Sequence, residues 1–268
     1  MKSDPLNKPP RSGFFPEWLK MPLLLMLLAA AVTWVSLYAM GITLNEAWTG
    51  ISASYLRIHD ELLLALGQTL YMVFFSTLFS FILGFILATV MITTGPHGLR
   101  PNARVYAVLD MTVDILRSLP FIILIIAIMP VTRFVMGIAI GTTATIMPLT
   151  IAAAPFAARI IEANFLEVDR GVVEAARSFG ASTPQIIFRV MLPEALPSIV
   201  LNVAVLAIAL IGYSAMAGTV GGGGLGDLAY RLGYNRFQAD VTIWCILVLI
   251  ILVRCIQSAG NYLYRRLR

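Results

Sequence analysis

The chain has 268 residues, 59% of them hydrophobic and only 12% charged. Soluble domains carry about 25% charged residues, so this composition excludes an ordinary soluble enzyme and describes a membrane protein. The net charge of +5 reads as the loop bias of such a protein, so no nucleic-acid partner is expected.

Residues 1–20 form a polar, proline-containing basic tail, and residues 21–40 are an uncharged stretch about one bilayer thick. The long polar lead favours a retained helix over a cleaved signal. Residues 41–61, with Glu46, Arg57, Asp60 and Glu61, read as a loop or interfacial connecting segment. Residues 62–94 carry no charge and exceed the length of a span. Gly95-Pro96-His97-Gly98 is a turn.

A third span covers residues 105–131, with Pro120 and Pro130 placed to kink it. Asp110, Asp114 and Arg117 share one face of it. They fit either an intramembrane ion path or an interfacial set with Asp114 and Arg117 paired. We favour the second, because the apolar run starts only at Leu119. The fourth span, 142–163, is dense in alanine at 152–154, 157 and 158, which permits close helix approach.

Residues 167–199 interrupt the apolar chain with Glu167, Asp169, Arg170, Glu174, Arg177, Arg189 and Glu194. Such a stretch lies outside hydrocarbon. Asp169 is placed to cap a short helix, Gly180 to end it in a left-handed conformation, and Ser182 or Thr183, with Pro184, to start another. Pro193 and Pro197 then break the chain. Val172, Val173, Ala176 and Phe179 give the first helix an apolar stripe. A helix this short needs a surface to lie on.

The fifth span covers 199–219, the glycine-rich 218–226 is expected to be a flexible external turn, and the last span covers 241–262. Arg265, Arg266 and Arg268 form a basic end. The fold class is an all-α membrane protein with about six transmembrane helices. With the N-terminus inside, thirteen basic residues fall inside, Arg159, Arg170, Arg177 and Arg189 among them. Only Arg57, Arg133, Arg231 and Arg236 fall outside. That bias puts both termini and the 167–198 loop in the cytoplasm.

Several chemistries are excluded. The three lysines, Lys2, Lys8 and Lys20, all lie in the tail. A phosphate-binding loop needs a lysine after its glycines, and 221–226 has none. No nucleophile–base pair or metal cluster stands out, and no catalytic residue or bound cofactor is expected. If ATP drives this protein, another subunit hydrolyses it. Cys245 and Cys255 read as core residues of the last span, and His59 and His97 as loop residues without a metal role.

Glu174-Ala175-Ala176, three residues, Gly180, nine residues, then Val190-Met191-Leu192-Pro193 resembles the EAA loop of ABC-importer permeases, with valine where isoleucine is usual. Further stretches narrow the resemblance: Arg117 to Leu124, Met129 to Arg133, Met147 to Phe156, Leu192 to Pro197 and Gly212 to Gly218. Together they are similar to the permeases of methionine ABC importers over residues 61–268. The resemblance implies a five-helix core, here with an added first helix, in a bacterial inner membrane. It implies a coupling helix that docks on an ATPase. Glu174, Ala175, Ala176, Gly180, Leu192 and Pro193 carry the coupling motif.

The implied assembly is two permease copies and two ATPase subunits holding ATP and Mg, fed by a binding protein or lipoprotein. The cargo is methionine, D or L, and the surroundings are membrane lipid. From the residues themselves, Tyr213, Ser214 and Met216 are candidates for a translocation path or gate, since small neighbours allow a narrow passage and methionine adapts to thioethers. Packing filler is the other reading of Met216. The rival functions are a permease for another amino acid and an ion-coupled carrier using Asp110 and Asp114.

Overall fold

The computed structural model describes residues 44–268, with side chains at Thr49 and from residue 56 onward. The expected tail and first span lie outside the described residues. The chain divides into two compact units, 1–56 and 57–268, and the contacts given below belong to the second.

The first described helix, α1, runs Leu44–Thr94. It includes residues 44–61, expected as a connecting loop, and with them His59. Proline is absent between residues 44 and 94, and scattered surface charge does not stop a helix. Two helices replace the expected third span: α2, Ala103–Ser118, and α3, Phe121–Met136. They meet at 109°. Leu119 is extended there, with ψ 129°, as the residue before a proline must be. Pro130 lies inside α3 without ending it.

Next come α4 (Thr142–Leu166), α5 (Arg170–Ser178) and α6 (Thr183–Ile186). A π-helical turn, Ile187–Met191, leads into α7 (Leu192–Gly218). Pro193 and Pro197 therefore do not break the chain. The widened turn, where Leu192 N–H reaches back to Ile187 O, accommodates the proline that follows it. After α8 (Gly224–Leu228) and a second π-turn (Ala229–Tyr234), α9 (Ala239–Leu267) closes the fold.

Among the described residues four helices are long and apolar enough to cross a membrane, or five if the bent α2–α3 pair counts as one span. Five agrees with the expected core; the sixth falls outside the described residues.

Helix α4 is the interior one. Two thirds of its most apolar window is buried, against 11% for α9. Its alanines, Ala153, Ala154, Ala157 and Ala158, are buried, and Gly84 of α1 sits against Ala157 and Ala158. Ser76 Oγ donates to Ile146 O (3.5 Å) and Ser80 Oγ to Thr150 O (3.2 Å), stitching α1 to α4 one turn apart. Asn202 of α7 donates to Asn164 Oδ1 of α4 at 3.1 Å. Such polar contacts add specificity between helices that lipid alone does not drive together. Outward faces carry exposed Phe74, Ile123 and Ile251, as hydrocarbon contact requires. Cys245 is buried, but Cys255 is exposed rather than in the core.

The glycine-rich turn is built rather than loose. Gly224 N–H donates to Gln68 Oε1 (2.8 Å) and Leu225 N–H to Thr69 Oγ1 (2.9 Å). Any Cβ on Gly226 would fall 2.3 Å from Ala215 O. The glycines are there to bring two stretches of backbone together.

Candidate functional site

Two polar constructions stand out: the loop after α4, and a charge cluster on α4 itself.

The loop begins with Asp169, whose carboxylate accepts from Gly171 N–H at 2.7 Å and caps α5. The helix ends at Gly180, with φ +80°. Gly180 N–H donates to Arg177 O (3.0 Å) and Ala181 N–H to Ala176 O (3.1 Å). That is the paired termination of a Schellman motif. Ser182 N–H then donates to Gln185 Oε1 at 2.7 Å, opening α6. The cap at Asp169, the stop at Gly180 and the start at Ser182 are in place as predicted, so this part of the loop is a rigid bracket held by local hydrogen bonds.

The apolar stripe of α5 is divided. Val173 and Ala176 pack on a core cluster containing Ile161, Phe165, Ile187 and Met191. Val172 (50% exposed) and Phe179 (91% exposed) face out, and Ala175 between them is exposed too. Residues 172, 175 and 179 recur at helical spacing and form one outer ridge. Glu174 is exposed away from that ridge, Leu192 is half-buried and Pro193 exposed at the joint between the π-turn and α7. The motif therefore does two jobs. Ala176, Gly180, Leu192 and Pro193 shape the bracket, while Glu174 and Ala175 stand at its surface.

The expected gate residues separate. Tyr213 stacks on Phe121 of α3, with ring centroids 4.9 Å apart and planes at 11°. Ser214 is buried and donates to Ile211 O at 2.8 Å. Met216 is 50% exposed, on the same helix face as exposed Val205 and Gly212. Of the three, Met216 is the one on an open surface.

On α2, Asp114 and Arg117 pair at 3.6 Å, as expected. Their chief partner was not foreseen. Arg159 of α4 donates to Asp114 Oδ1 (2.9 Å), to Glu162 Oε2 (3.0 Å) and to Asp110 Oδ1. Arg159, one of the basic residues assigned to the inside segments, lies within α4. The Glu162 side chain is only 7% exposed. Arg159 and Glu162, three apart in an otherwise apolar span, were the available signal. One guanidinium thus bridges three carboxylates, and Arg117 adds a second positive charge at Asp114, which makes Asp110 and Asp114 anchors of α2 rather than an open ion path. The opposite side of α2 exposes Val108, Met111 and Ile115, so charge faces the protein and the apolar stripe faces out.

Residues 80–268 match the model of the binding-protein-dependent transport system inner membrane component. The chain belongs to this family. It is 49% identical over 215 residues to the probable D-methionine transport system permease protein MetI of Vibrio cholerae, covering 80% of this chain and 96% of that protein. It is 46% identical over 201 residues to the methionine import system permease protein MetP of Bacillus subtilis, covering 75% and 90%. Among solved structures, a chain of the MetNI methionine ABC transporter in an inward-facing conformation superposes with a TM-score of 0.78 at 41% identity. That match covers 79% of this chain and 98% of that one. The fold is that of a family permease, a transport subunit and not an enzyme.

Proposed function

We propose that this chain is the transmembrane permease subunit of an ATP-driven methionine importer in a bacterial inner membrane, working as a homodimer on two separate ATPase subunits. The capped, rigid α5 with its exposed ridge of Val172, Ala175 and Phe179 carries this reading. An apolar ridge on a polar loop, outside the spans, is a ready-made anchor for a protein groove. The names of the relatives support methionine, D or L, as cargo delivered by a binding protein or lipoprotein. The basic-residue bias supports a cytoplasmic loop and cytoplasmic termini.

In this mechanism ATP binding draws the two ATPase subunits together, and each carries its docked α5. Val172, Ala175 and Phe179 hold that contact, Ala176 seats α5 on the bundle, and Gly180 fixes the angle at which α5 leaves it. The core clusters move as rigid bodies between inward- and outward-facing states, because packed interiors switch rather than stretch. Met216 from each copy faces the path as a gate, with Tyr213 and Ser214 positioning its helix from behind. ATP and Mg stay on the partner.

The test is uptake of radiolabelled methionine into proteoliposomes holding permease, ATPase and binding protein. Uptake should require ATP and should fall roughly tenfold in Phe179→Ala, the range of an interface anchor. Uptake that persists without the ATPase, or that collapses with a protonophore, would sink the proposal. Preferential uptake of another amino acid would overturn only the choice of cargo.

A further inference from the structure

Between the end of α1, the end of α4, α5 and the first π-turn lies a cavity of about 290 Å³. Its floor is apolar: Ile92, Phe165 and Met191, all buried. Its rim is basic. Arg170 and Arg177, two turns apart on α5, flank it, and His97 of the turn after α1 lies across from them. Glu174 also lines the rim, so one carboxylate stands against two guanidiniums. Neither Arg170 nor Arg177 meets an ion-pair or side-chain hydrogen-bond partner among the described residues, and Glu174 bonds to neither. The docking ridge of Val172, Ala175 and Phe179 excludes these residues, so the cavity belongs to the other side of α5.

Position narrows the ligand. The cavity opens where two apolar spans end, at Thr94 and Leu166, which is the level of the lipid headgroups. Leu166, on its lip, is 56% exposed and continues the floor onto the outer surface. A basic rim over an apolar floor at that depth suits a phosphate with hydrocarbon attached. We propose that this cavity holds the headgroup of an anionic phospholipid from the adjoining leaflet, its phosphate between Arg170 and Arg177 and its first methylenes over Ile92 and Phe165. A bound lipid then ties α5 to the ends of α1 and α4, which makes the seating of the bracket sensitive to membrane composition.

The experiment is native mass spectrometry of the full-length chain released from nanodiscs of phosphatidylcholine mixed with phosphatidylglycerol. Phosphatidylglycerol should be retained over phosphatidylcholine, and R170Q/R177Q should reduce that preference roughly tenfold, since each basic side chain at the interface contributes. E174Q, which removes the opposing carboxylate and leaves the fold alone, should raise retention, and it decides the matter if the double variant fails to assemble. Equal retention of both lipids, a double variant that keeps the preference, or an E174Q variant that loses it would overturn the site. Displacement by inorganic phosphate alone would replace the lipid with a free anion and overturn it as stated. The readout is binding, so it fails or succeeds independently of the importer reading.

Discussion

Arg159 illustrates how much one residue can decide in a low-dielectric interior. Its guanidinium serves Asp110, Asp114 and Glu162 together, and Glu162 has almost no water to fall back on. Removing one partner of a buried charge set costs about 3 kcal/mol or more, because the other charge is stranded. Arg159→Met should therefore lower the melting temperature of the purified protein markedly, and Arg159→Met with Glu162→Met should recover most of the loss. A melt that Arg159→Met leaves unchanged would mean the cluster is well solvated. Gly180 is the second such residue. At φ +80° any side chain costs about 1–2 kcal/mol, and α5 has no alternative stop. Gly180→Val should leave the dimer in the membrane and separate ATP hydrolysis from uptake, read as ATPase rate against transport rate; a variant with normal coupling would show that the exit angle of α5 is unimportant.

Between elements, small residues do the work that large side chains do in soluble cores. A Cβ on Gly84 would lie 2.6 Å from Ala157 Cβ and 2.9 Å from Ala158 N, whereas one on Gly67 of the same helix would meet nothing within 4 Å. Gly84→Ala must push α1 off α4, with overpacking costs of about 1–3 kcal/mol. Gly67→Ala should be neutral or stabilising by about 0.5–1 kcal/mol, the helix-propensity difference alone. Thermal melts of the two variants in one detergent would check the contrast, and equal effects would contradict the packing described here. Prolines follow the same local logic. Pro120 turns the chain through 109° because Leu119 must be extended, while the π-turn before Pro193 lets α7 continue.

At the scale of the molecule, the membrane and the coupling loop set the orientation. Ser178 of α5 is exposed. In a Cys255→Ser background, needed because Cys255 is the exposed thiol, Ser178→Cys should react with an impermeant maleimide in inverted vesicles and stay unlabelled in intact spheroplasts. Labelling in the spheroplasts would reverse the topology and remove α5 from any cytoplasmic motor. The exposed face of α7 bearing Met216 makes a matching demand. Met216→Cys should crosslink the two copies if that face lines a shared path.

What the sequence alone determined is what hydrogen bonds and hydropathy decide over a few residues. The membrane class follows from composition, and the capping of α5 by Asp169, its end at Gly180 and a second helix starting at Ser182 or Thr183 depend on partners within five positions, so the residue types suffice. The tertiary structure decided what depends on distant partners. Arg159 meets Asp110 across 49 positions, and Gln68 and Thr69 hold the glycine turn across 156. No periodicity announces such pairings. The split of the α5 stripe, with Val173 inward and Phe179 outward, likewise awaited the surface it lies on, since a single stripe does not say how much of itself the bundle will cover.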